Sequence, residues 1–322
     1  MKSIRYYTYG SPEVLKIEEV DKPTVGENDI LVKVRAVAVN PYDWHFMRGK
    51  PYIMRPMSGL FKPKTAKFGA DYSGVVESVG SNVALFKPGD EVYGCRQGAF
   101  AEYVVTTEKS TALKPKNLSF EQAAAVPMAA LTALQALRDS GGIKSGQKVL
   151  INGASGGVGT LAVQIAKSYD CEITAVCSGK NAELVRSLGA DHVIDYTKVD
   201  FSRLGTKYDL FLDAISTRSI FACRRALTPN GTFVSVGAGS GNWIGPIVGL
   251  LSTAVVSWFS KQHLTGMLAK VARQDLVKIA ELIESGKLKP VIERQYTFEQ
   301  IPEAIAHLET GHVAGKLVIS VS

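Results

Sequence analysis

The sequence has few cysteines, and none is arranged as in a metal site or a disulfide framework. The 322 residues include only Cys95, Cys171, Cys177 and Cys223, with no C-x-x-C pair and no zinc-finger spacing to a histidine. Cys171 and Cys177 fall on one predicted strand, where six residues span roughly 20 Å, too far for a disulfide. Reduced thiols and a cytoplasmic location are therefore expected.

Other absences exclude further classes of function. No block of five or six consecutive basic residues accompanies the net charge of +7, and no zinc finger occurs, so no nucleic-acid partner is expected. None of the five histidines lies in an H-E-x-x-H motif. The first residues lack the apolar stretch of a secretory signal. With 46% hydrophobic and 21% charged residues, the composition is that of a globular protein large enough for two domains.

Charge is also absent from the stretch between Arg225 and Lys261. Its second half, residues 243–259 (WIGPIVGLLSTAVVSWF), has 17 residues with Pro246 near its start, whereas a membrane-spanning helix needs about 20 apolar residues. A spanning helix is therefore not expected. A buried lid, a contact between subunits and a peripheral membrane contact are the three remaining interpretations.

The first part of the chain, residues 1–118, has the pattern of a small β domain. Ile30–Val39 alternates apolar with polar or small residues, as a half-buried strand does. Three further strands are predicted at residues 74–80, 90–93 and 99–105, and the sequence KPGD at residues 87–90 predicts a turn. Together these strands predict an antiparallel, barrel-like domain.

The second part alternates strands and helices. Ser119 and Gln122 have the spacing of a capping box that opens an alanine-rich helix, which Pro127 must kink or divide. From Lys148 onward, strands are predicted at residues 149–152, 172–177, 209–214 and 232–236, with helices at residues 160–167 and 182–188. This alternation is typical of a doubly wound parallel sheet. The tail adds predicted helices at residues 274–285 and 302–309 and a last strand at residues 316–321.

A glycine-rich turn follows the first strand of the alternating part. The sequence VLINGASGGVG (residues 149–159) runs from an apolar strand into a helix, the context that a dinucleotide-binding turn requires. Its glycines would allow a tight turn, a close approach to a pyrophosphate and close packing of helix on strand. The free N–H groups of the helix N-terminus favour phosphate. We predict a dinucleotide site formed by Gly153, Ala154, Ser155, Gly156, Gly157, Val158 and Gly159.

The end of the second strand indicates which dinucleotide binds. An NAD site typically has Asp or Glu there, about 20 residues after the glycines, to hold the ribose 2′-hydroxyl. This sequence instead has Cys177 followed by Ser178, Gly179 and Lys180, with no acidic residue. A carboxylate would repel a 2′-phosphate, whereas a lysine and a hydroxyl attract it, so NADPH is the expected cofactor. The alternative for Lys180 is a solvated lysine at a helix start.

Six motifs occur in the order seen in medium-chain dehydrogenase/reductases. They are NPYDW (40–44), GADYSGVVESVG (69–80), KPGDEV (87–92), AALTALQAL (129–137), NGASGGVG (152–159) and AGKLVI (314–319). Along nearly its whole length, the chain resembles the zinc-independent quinone oxidoreductase branch, in particular the zeta-crystallin-like and chloroplast-envelope quinone oxidoreductase homologues. The resemblance implies an α/β protein with a GroES-like β-barrel catalytic domain (residues 1–125 and 270–322) and a doubly wound Rossmann NADP-binding domain (residues 126–269).

The chain departs from the zinc-dependent branch at the positions of the metal ligands. Zinc alcohol dehydrogenases have a cysteine where Asn40 stands, a His-Glu pair where Ala70 and Asp71 stand, and a third ligand near Met128. Asparagine, alanine and methionine do not make the usual nitrogen and sulfur zinc shell, and the four-cysteine structural lobe is missing too. No metal is expected, and easily reduced acceptors such as quinones and activated double bonds are the expected substrates.

The resemblance also implies roles for single residues. It places Asn40 beside the nicotinamide and the substrate, where its amide would hydrogen-bond an acceptor oxygen; an asparagine in a turn before Pro41 is the alternative. Asp43, the acid of the N-P-x-D pattern, is a catalytic candidate or a helix cap. Thr132 is expected to contact the cofactor near its nicotinamide phosphate, or else to bond its own helix backbone.

Further residues that the resemblance places around the cofactor are Ser178, Lys180, Tyr196, Val236, Gly237, Ala238, Gly315 and Lys316. The first three would surround the adenosine 2′-phosphate, and the backbone of residues 236–238 would meet the carboxamide. Packing is the alternative for Tyr196, and a surface charge at a strand start is the alternative for Lys316.

The expected reaction is NADPH-dependent reduction of a quinone, with an α,β-unsaturated carbonyl as the alternative acceptor. Both accept hydride at an electron-poor carbon and leave an oxyanion or enolate that Asn40 would stabilise. The proton that follows has three candidate sources: Tyr42, Tyr52 and water. The resemblance further implies a homodimer. A second alternative is an NADPH-binding protein with little activity that contacts membranes peripherally through residues 243–259.

Overall fold

The structure is a computed structural model that describes residues 1–236 and 261–321. The chain forms two compact units: unit 1 comprises Met1–Leu131 and Val271–Ser322, and unit 2 comprises Thr132–Lys270. The expectations for Gly237, Ala238 and residues 243–259 fall outside the described residues.

The strands and α-helices of the described residues are as follows. The strands are β1 (Lys2–Arg5), β2 (Lys16–Glu19), β3 (Ile30–Ala38), β4 (Asp71–Val79), β5 (Glu91–Cys95), β6 (Tyr103–Thr106), β7 (Thr111–Leu113), β8 (Lys148–Asn152), β9 (Glu172–Cys177), β10 (His192–Asp195), β11 (Tyr208–Asp213), β12 (Leu227–Ser235), β13 (His263–Gly266), β14 (Ile292–Tyr296) and β15 (Lys316–Ser320). The helices are α1 (Pro41–Arg48), α2 (Arg55–Ser58), α3 (Phe120–Ala124), α4 (Pro127–Gln135), α5 (Gly157–Lys167), α6 (Ala182–Ser187), α7 (Ile220–Arg224), α8 (Arg273–Glu284) and α9 (Ile301–Glu309).

Unit 1 is built on a seven-stranded, mainly antiparallel sheet, as the short-strand pattern predicts. The strand order is β14-β15-β3-β4-β5-β7, with β6 paired to β3, and β1 and β2 form a separate antiparallel pair. Only β14 and β15 run parallel among the strand pairs described in this sheet. Since β15 pairs with β3, the C-terminal strand returns beside the strand that leads to Asn40.

Strand β3 alternates as predicted in its middle, where Val32, Val34 and Ala36 are buried and Lys33 and Arg35 between them are exposed. At both ends of the strand, successive residues are buried. The buried side chains join a core that includes Tyr72 of β4 and Phe100. Burying each large apolar side chain contributes roughly 1.5–3 kcal/mol, so the alternation fixes which face of the strand points inward.

The strand predicted at residues 99–105 is shorter than expected, because β6 begins only at Tyr103. The residues before it bond elsewhere: the Phe100 N–H donates to the Phe68 carbonyl, and the Ile4 N–H donates to the Phe100 carbonyl. These contacts divert residues 99–101 away from the ladder that β6 forms with β3.

The start of the helical region confirms the two features predicted for it. Ser119 and Gln122 form a reciprocal capping box, with the Gln122 N–H donating to the Ser119 hydroxyl and the Ser119 N–H donating to the Gln122 side chain. Helix α3 ends at Ala124, and α4 begins at Pro127. The proline therefore divides the helix, since it cannot donate to the preceding turn.

The described residues of unit 2 form a six-stranded parallel sheet in the order β10-β9-β8-β11-β12-β13. Read in chain order, the first three strands run outward from β8 on one side and the last three from β11 on the other, which is the doubly wound Rossmann topology. The switch of direction lies between β8 and β11, which pair in parallel. In such sheets, ligands bind beyond the carboxyl ends of the strands at this switch.

The sequence pattern did not predict β10 and β13. β10 has four residues and none of them is buried, so it lacks the apolar run that marks β8 and β9. β13 also has four residues, with exposed His263 and Gly266 at its ends. Both strands lie at the edges of the sheet, where a strand needs fewer apolar residues. None of the helices described above is long and apolar enough to cross a membrane.

Candidate functional site

The glycine-rich turn joins β8 to α5 in unit 2. Gly153 follows β8 with a φ of +79°, and Gly156 is the N-cap of α5. A Cβ atom on Gly159 would lie 2.1 Å from the Gly153 carbonyl oxygen and 2.6 Å from the Ala154 Cα atom. On Gly156, the nearest described atom would be 3.5 Å away. Helix α5 therefore starts so close to the turn that only glycine fits at position 159.

The N-terminus of α5 fits a phosphate group. The first hydrogen bond within the helix runs from the Thr160 N–H to the Gly156 carbonyl, so the N–H groups of Gly157, Val158 and Gly159 have no intrahelical partner. Such N–H groups, with the positive end of an 11-residue helix behind them, are the usual donors to a pyrophosphate. The residues at the turn thus fit a bound dinucleotide.

The loop after β9 is linked to this turn. β9 ends at Cys177, and a short turn at residues 179–181 follows. The Asn181 side-chain NH₂ donates to the Ser155 hydroxyl at 3.0 Å, which joins the two loops at the carboxyl ends of β8 and β9. Ser178 is half-buried and Lys180 is exposed in this loop.

An acidic residue stands beside this loop, and it comes from the neighbouring strand. β10 pairs with β9 so that Asp195 lies opposite Cys177, and its carboxylate accepts the Gly179 N–H. The same carboxylate accepts the Thr197 hydroxyl at 2.7 Å and the Thr197 N–H at 3.0 Å, and these bonds lower the pKa of Asp195 below its ordinary value. The prediction missed Asp195 because it considered only the end of β9; the acid in VIDYT was the available signal.

The other predicted cofactor residues of unit 2 lie in several elements. Thr132 is half-buried in α4, and Tyr196, directly after β10, is 48% exposed. Val236 follows β12 and donates its N–H to the Asp213 carbonyl at 3.0 Å. Their roles toward the cofactor stay predictions.

In unit 1, two predicted site residues, Asn40 and Lys316, meet Asp71 in a buried cluster. Lys316 Nζ lies 2.5 Å from Asn40 Oδ1 and 3.5 Å from Asp71 Oδ2. Asn40 Nδ2 donates to Asp71 Oδ2 at 2.9 Å. The pairing of β15 with β3, and of β3 with β4, brings together residues that are more than 240 positions apart in the chain. Lys316 is 5% exposed, so it is a buried cation and not a surface charge.

The side-chain amide of Asn40 has a fixed orientation in this cluster. Its oxygen faces the Lys316 ammonium, and its NH₂ group donates to Asp71 and to the Ala38 carbonyl oxygen at 3.2 Å. The opposite orientation would bring NH₂ against the ammonium and oxygen against the carboxylate. Both amide hydrogens are thus used within the chain, and Asn40 has no hydrogen left for the oxygen of a substrate.

Asp43 forms the helix-cap contact at the start of α1. Its Oδ2 accepts the Asn40 N–H at 2.8 Å, and it is 1% exposed. The other oxygen, Oδ1, is buried and has no hydrogen-bond partner among the residues that the structure describes. Burial raises the pKa of Asp43 to about 8, and the nearby Asp71 carboxylate acts in the same direction. Asp43 therefore tends to keep its proton, and a catalytic role for it stays a prediction.

Asp71 is the buried carboxyl group that pairs with Lys316. It accepts hydrogen bonds from the Met128 N–H at 3.0 Å and from Asn40, and it pairs with Lys316. Burial raises the pKa of Asp71, but the charge of Lys316 and these donors act against that rise. Burial, with the two carboxylates nearby, also raises the pKa of the Cys95 thiol. Sequence comparison with the zinc branch pointed to Asp71 only as a missing ligand, not as a functional residue.

The residues at these positions do not fit a zinc ion. Asn40 and Asp71 already share a cation, the Lys316 ammonium, and position 128 offers an N–H donor, which would repel a metal. Zinc sites need several nitrogen, sulfur or carboxylate ligands around one point. Within the described ranges, no group of three or more His, Cys, Asp or Glu side chains is placed to hold a metal ion.

Two family models match the chain. "Alcohol dehydrogenase GroES-like domain" matches residues 26–116, within unit 1, and "Zinc-binding dehydrogenase" matches residues 188–319. The residues at the ligand positions do not fit the zinc ion named in the second description.

Three known proteins are similar in sequence to this chain over at least 97% of its length. The chain is 36% identical to the mitochondrial NAD(P)H oxidoreductase RTN4IP1 of Bos taurus, covering 97% of this chain and 87% of that protein. It is 36% identical to the chloroplastic NADPH-dependent alkenal/one oxidoreductase of Arabidopsis thaliana (99% and 79%) and 34% identical to the chloroplastic quinone oxidoreductase QR1 of Triphysaria versicolor (99% and 98%). Since these proteins are named as organellar, the expected cytoplasmic location stays a prediction.

Two solved structures share the fold from end to end. The quinone oxidoreductase from Coxiella burnetii matches with a TM-score of 0.86 and 31% identity, covering 100% of this chain and 99% of that one. The Escherichia coli quinone oxidoreductase complexed with NADPH matches with a TM-score of 0.85 and 26% identity, covering 100% of both chains. The chain therefore belongs to the medium-chain dehydrogenase/reductase family, in the branch that includes quinone oxidoreductases.

Proposed function

We propose that the protein is a zinc-independent reductase that uses NADPH to reduce quinones. The observation that carries this proposal is the buried Asn40–Asp71–Lys316 cluster, which replaces the ligand set of the zinc branch with an amide, a carboxylate and an ammonium. Without a metal to polarise an alcohol or an ordinary carbonyl, the favoured substrates are those whose reduction needs least activation. Quinones are such acceptors, and relatives at about a third identity are named for them.

The glycine-rich turn and the loop after β9 support a dinucleotide as the hydride donor. When bound, NADPH would supply a hydride to an electron-poor carbon of the acceptor. The N–H groups that open α5 would hold the pyrophosphate, and Ser178, Lys180 and Tyr196 would hold the 2′-phosphate. Asp195 is a carboxylate close to this loop; three N–H and O–H donors already engage it, which weakens its repulsion of a phosphate.

Replacing Lys180 by alanine tests the choice of NADPH over NADH. We expect the KM for NADPH to rise roughly tenfold, because one charge-assisted contact to a phosphate is lost, while the KM for NADH stays the same. The matched control is Lys148→Ala, an exposed lysine at the opposite end of β8. Equal losses for both cofactors, or an equal loss in the control, would contradict a 2′-phosphate contact at Lys180.

An α,β-unsaturated carbonyl is the second candidate acceptor. It is favoured by the relatives named for such substrates: the Arabidopsis alkenal/one oxidoreductase and the 2-methylene-furan-3-one reductase of Solanum lycopersicum, 36% and 35% identical to this chain. Quinones and enones both place the developing negative charge on an oxygen conjugated to the carbon that receives hydride. One site therefore serves either acceptor, and the size of the pocket decides between them.

Anaerobic NADPH consumption by the purified protein separates the two candidates. A quinone and a long-chain alkenal are compared side by side at saturating NADPH. A larger kcat/KM for the quinone supports the proposed function, and a larger value for the alkenal assigns the protein to the enone reductases. NADPH binding without turnover of either acceptor would contradict a reductase function of this kind.

A further inference from the structure

Lys316 is the one member of the buried cluster with a hydrogen to offer a substrate. An ammonium has three hydrogens, and the structure gives Nζ two acceptors in the described part of the chain, Asn40 Oδ1 and Asp71 Oδ2. Both amide hydrogens of Asn40, by contrast, have acceptors. Lys316 is also the most exposed of the three residues, at 5% against 2% for Asn40 and 0% for Asp71.

We propose that Lys316 is a catalytic residue whose ammonium donates a hydrogen bond to the oxygen of the acceptor, where negative charge develops during reduction. The inference rests on the reductase function proposed above. In this proposal, Lys316 stabilises the developing negative charge as a metal ion does in metal-dependent carbonyl chemistry. Asn40 and Asp71 are then positioning residues. They accept two hydrogens of the Lys316 ammonium, which leaves the third hydrogen for the oxygen of the substrate.

The electron balance of the step is that of a hydride transfer. As the new C–H bond forms, the π electron pair of the acceptor moves onto its conjugated oxygen and gives an enolate. Lys316 donates to that oxygen and keeps its own proton, and a proton from solvent then neutralises the anion. With a quinone, the enolate is the keto tautomer of the hydroquinone monoanion, and loss of a proton to solvent from the carbon that received the hydride, with protonation on oxygen, gives the hydroquinone. NADPH is oxidised to NADP⁺ and the acceptor is reduced by two electrons. A fixed ammonium in a buried site stabilises such charge far more than water-exposed lysine does.

Lys316→Met tests the proposal, with Lys114→Met as the matched control. Lys114 is also a buried lysine of unit 1, and it donates to the Pro115 and Leu118 carbonyls and pairs with Glu91. We expect Lys316→Met to lower kcat about 10²-fold for either acceptor, as loss of one oxyanion donor does elsewhere, with an unchanged KM for NADPH. Lys114→Met is expected to keep the wild-type kcat per folded molecule. An unchanged kcat with a raised KM for NADPH would overturn the proposal and make Lys316 a cofactor contact.

A binding measurement tests the same contact without turnover. 4-Nitrophenol is an oxyanion mimic whose anion absorbs in the visible range, so its ionisation is read directly in the protein–NADP⁺ complex. We expect the wild-type protein to favour the bound phenolate, which lowers the apparent pKa of the phenol, and Lys316→Met to abolish that shift. An equal shift in both proteins would overturn the proposal. A wild-type protein that shows the shift but reduces neither acceptor would contradict the proposed function and leave the oxyanion contact supported.

Lys316→Met leaves the buried Asp71 carboxylate without its cation, which can prevent folding. A second variant keeps the proposal testable in that case. The double variant Asp71→Asn/Lys316→Met removes both charges, which is often tolerated at buried ion pairs. We expect it to fold, shown by thermal unfolding, and still to lose about 10²-fold in kcat. Recovery of the wild-type kcat in the double variant would show that Lys316 only neutralises Asp71, and would overturn the proposal.

Discussion

Replacing Gly159 by alanine is expected to destabilise the protein by about 2–3 kcal/mol and to weaken NADPH binding more than tenfold. The new methyl carbon would lie 2.1 Å from the Gly153 carbonyl oxygen and 2.6 Å from the Ala154 Cα atom. Both neighbours are backbone atoms of residues whose N–H groups donate to the Val176 carbonyl oxygen, which holds them in place, so the start of α5 must move instead. The N–H groups that would hold the pyrophosphate move with it. Thermal unfolding and a fluorescence titration with NADPH measure the two effects.

Gly156→Ala separates binding from folding at the same turn. An added Cβ at this position is 3.5 Å from its nearest described neighbour, so we expect a change in stability within about 1 kcal/mol. NADPH affinity should still fall roughly tenfold, because the methyl group occupies the approach of the pyrophosphate. The control is Gly266→Ala in β13, where the nearest described atom is 3.9 Å away and no cofactor contact is expected. Unchanged NADPH affinity in Gly156→Ala would contradict the placement of the dinucleotide on this turn.

Asp43→Asn is expected to make the free energy of unfolding depend less on pH between about pH 4 and pH 8. In the unfolded chain the carboxyl of Asp43 ionises near its ordinary value of 3.8, whereas burial keeps it protonated in the folded protein until about pH 8. The unfolded chain therefore holds fewer protons in this interval, and the free energy of unfolding falls as the pH rises through it. Asparagine keeps an acceptor for the Asn40 N–H but does not ionise. We expect the variant to gain more than about 2 kcal/mol relative to wild type between pH 4 and pH 8.

Denaturant unfolding of wild type and variant across this pH range measures the effect. Asp191→Asn is a control of opposite sign: burial raises the pKa of Asp191, but the hydrogen bonds from Lys167 and the Ile173 N–H lower it below its ordinary value. Its stabilising contribution is present at neutral pH and is lost as the pH falls through the lowered value, so Asp191→Asn should lose stability at neutral pH and not in acid. Parallel pH profiles for Asp43→Asn and wild type would contradict a protonated, buried Asp43.

The local sequence determined much of the fold. The alternation in β3, the capping box at Ser119 and the proline at position 127 each act within a few residues, and the structure has all three. The alternating strands and helices after Lys148 likewise predicted a parallel doubly wound sheet. What local pattern did not predict was the short edge strands β10 and β13, because four residues with little burial carry no periodicity.

The glycine-rich turn was also readable from the sequence, since Gly153, Gly156 and Gly159 lie within seven consecutive residues between a predicted strand and a predicted helix. The place of Asp195 beside this turn was not predicted. Asp195 reaches the loop after β9 only because β10 pairs with β9 in parallel register, which places it opposite Cys177. Its hydrogen bonds to Thr197 and Gly179 are likewise set by that pairing.

The chemistry of the unit 1 cluster was decided by the tertiary structure. By itself, the sequence determined that Asn40, Asp71 and Met128 stand where zinc ligands would be, and hence that a zinc shell is missing. The family resemblance placed Asn40 and Lys316 near the same cofactor, but it did not predict their direct contact with each other or with Asp71. Lys316 lies 245 residues after Asp71 and enters the cluster through the pairing of β15 with β3. Only that long-range contact buries the ammonium and fixes the Asn40 amide, because both effects depend on distances of a few ångströms between distant parts of the chain.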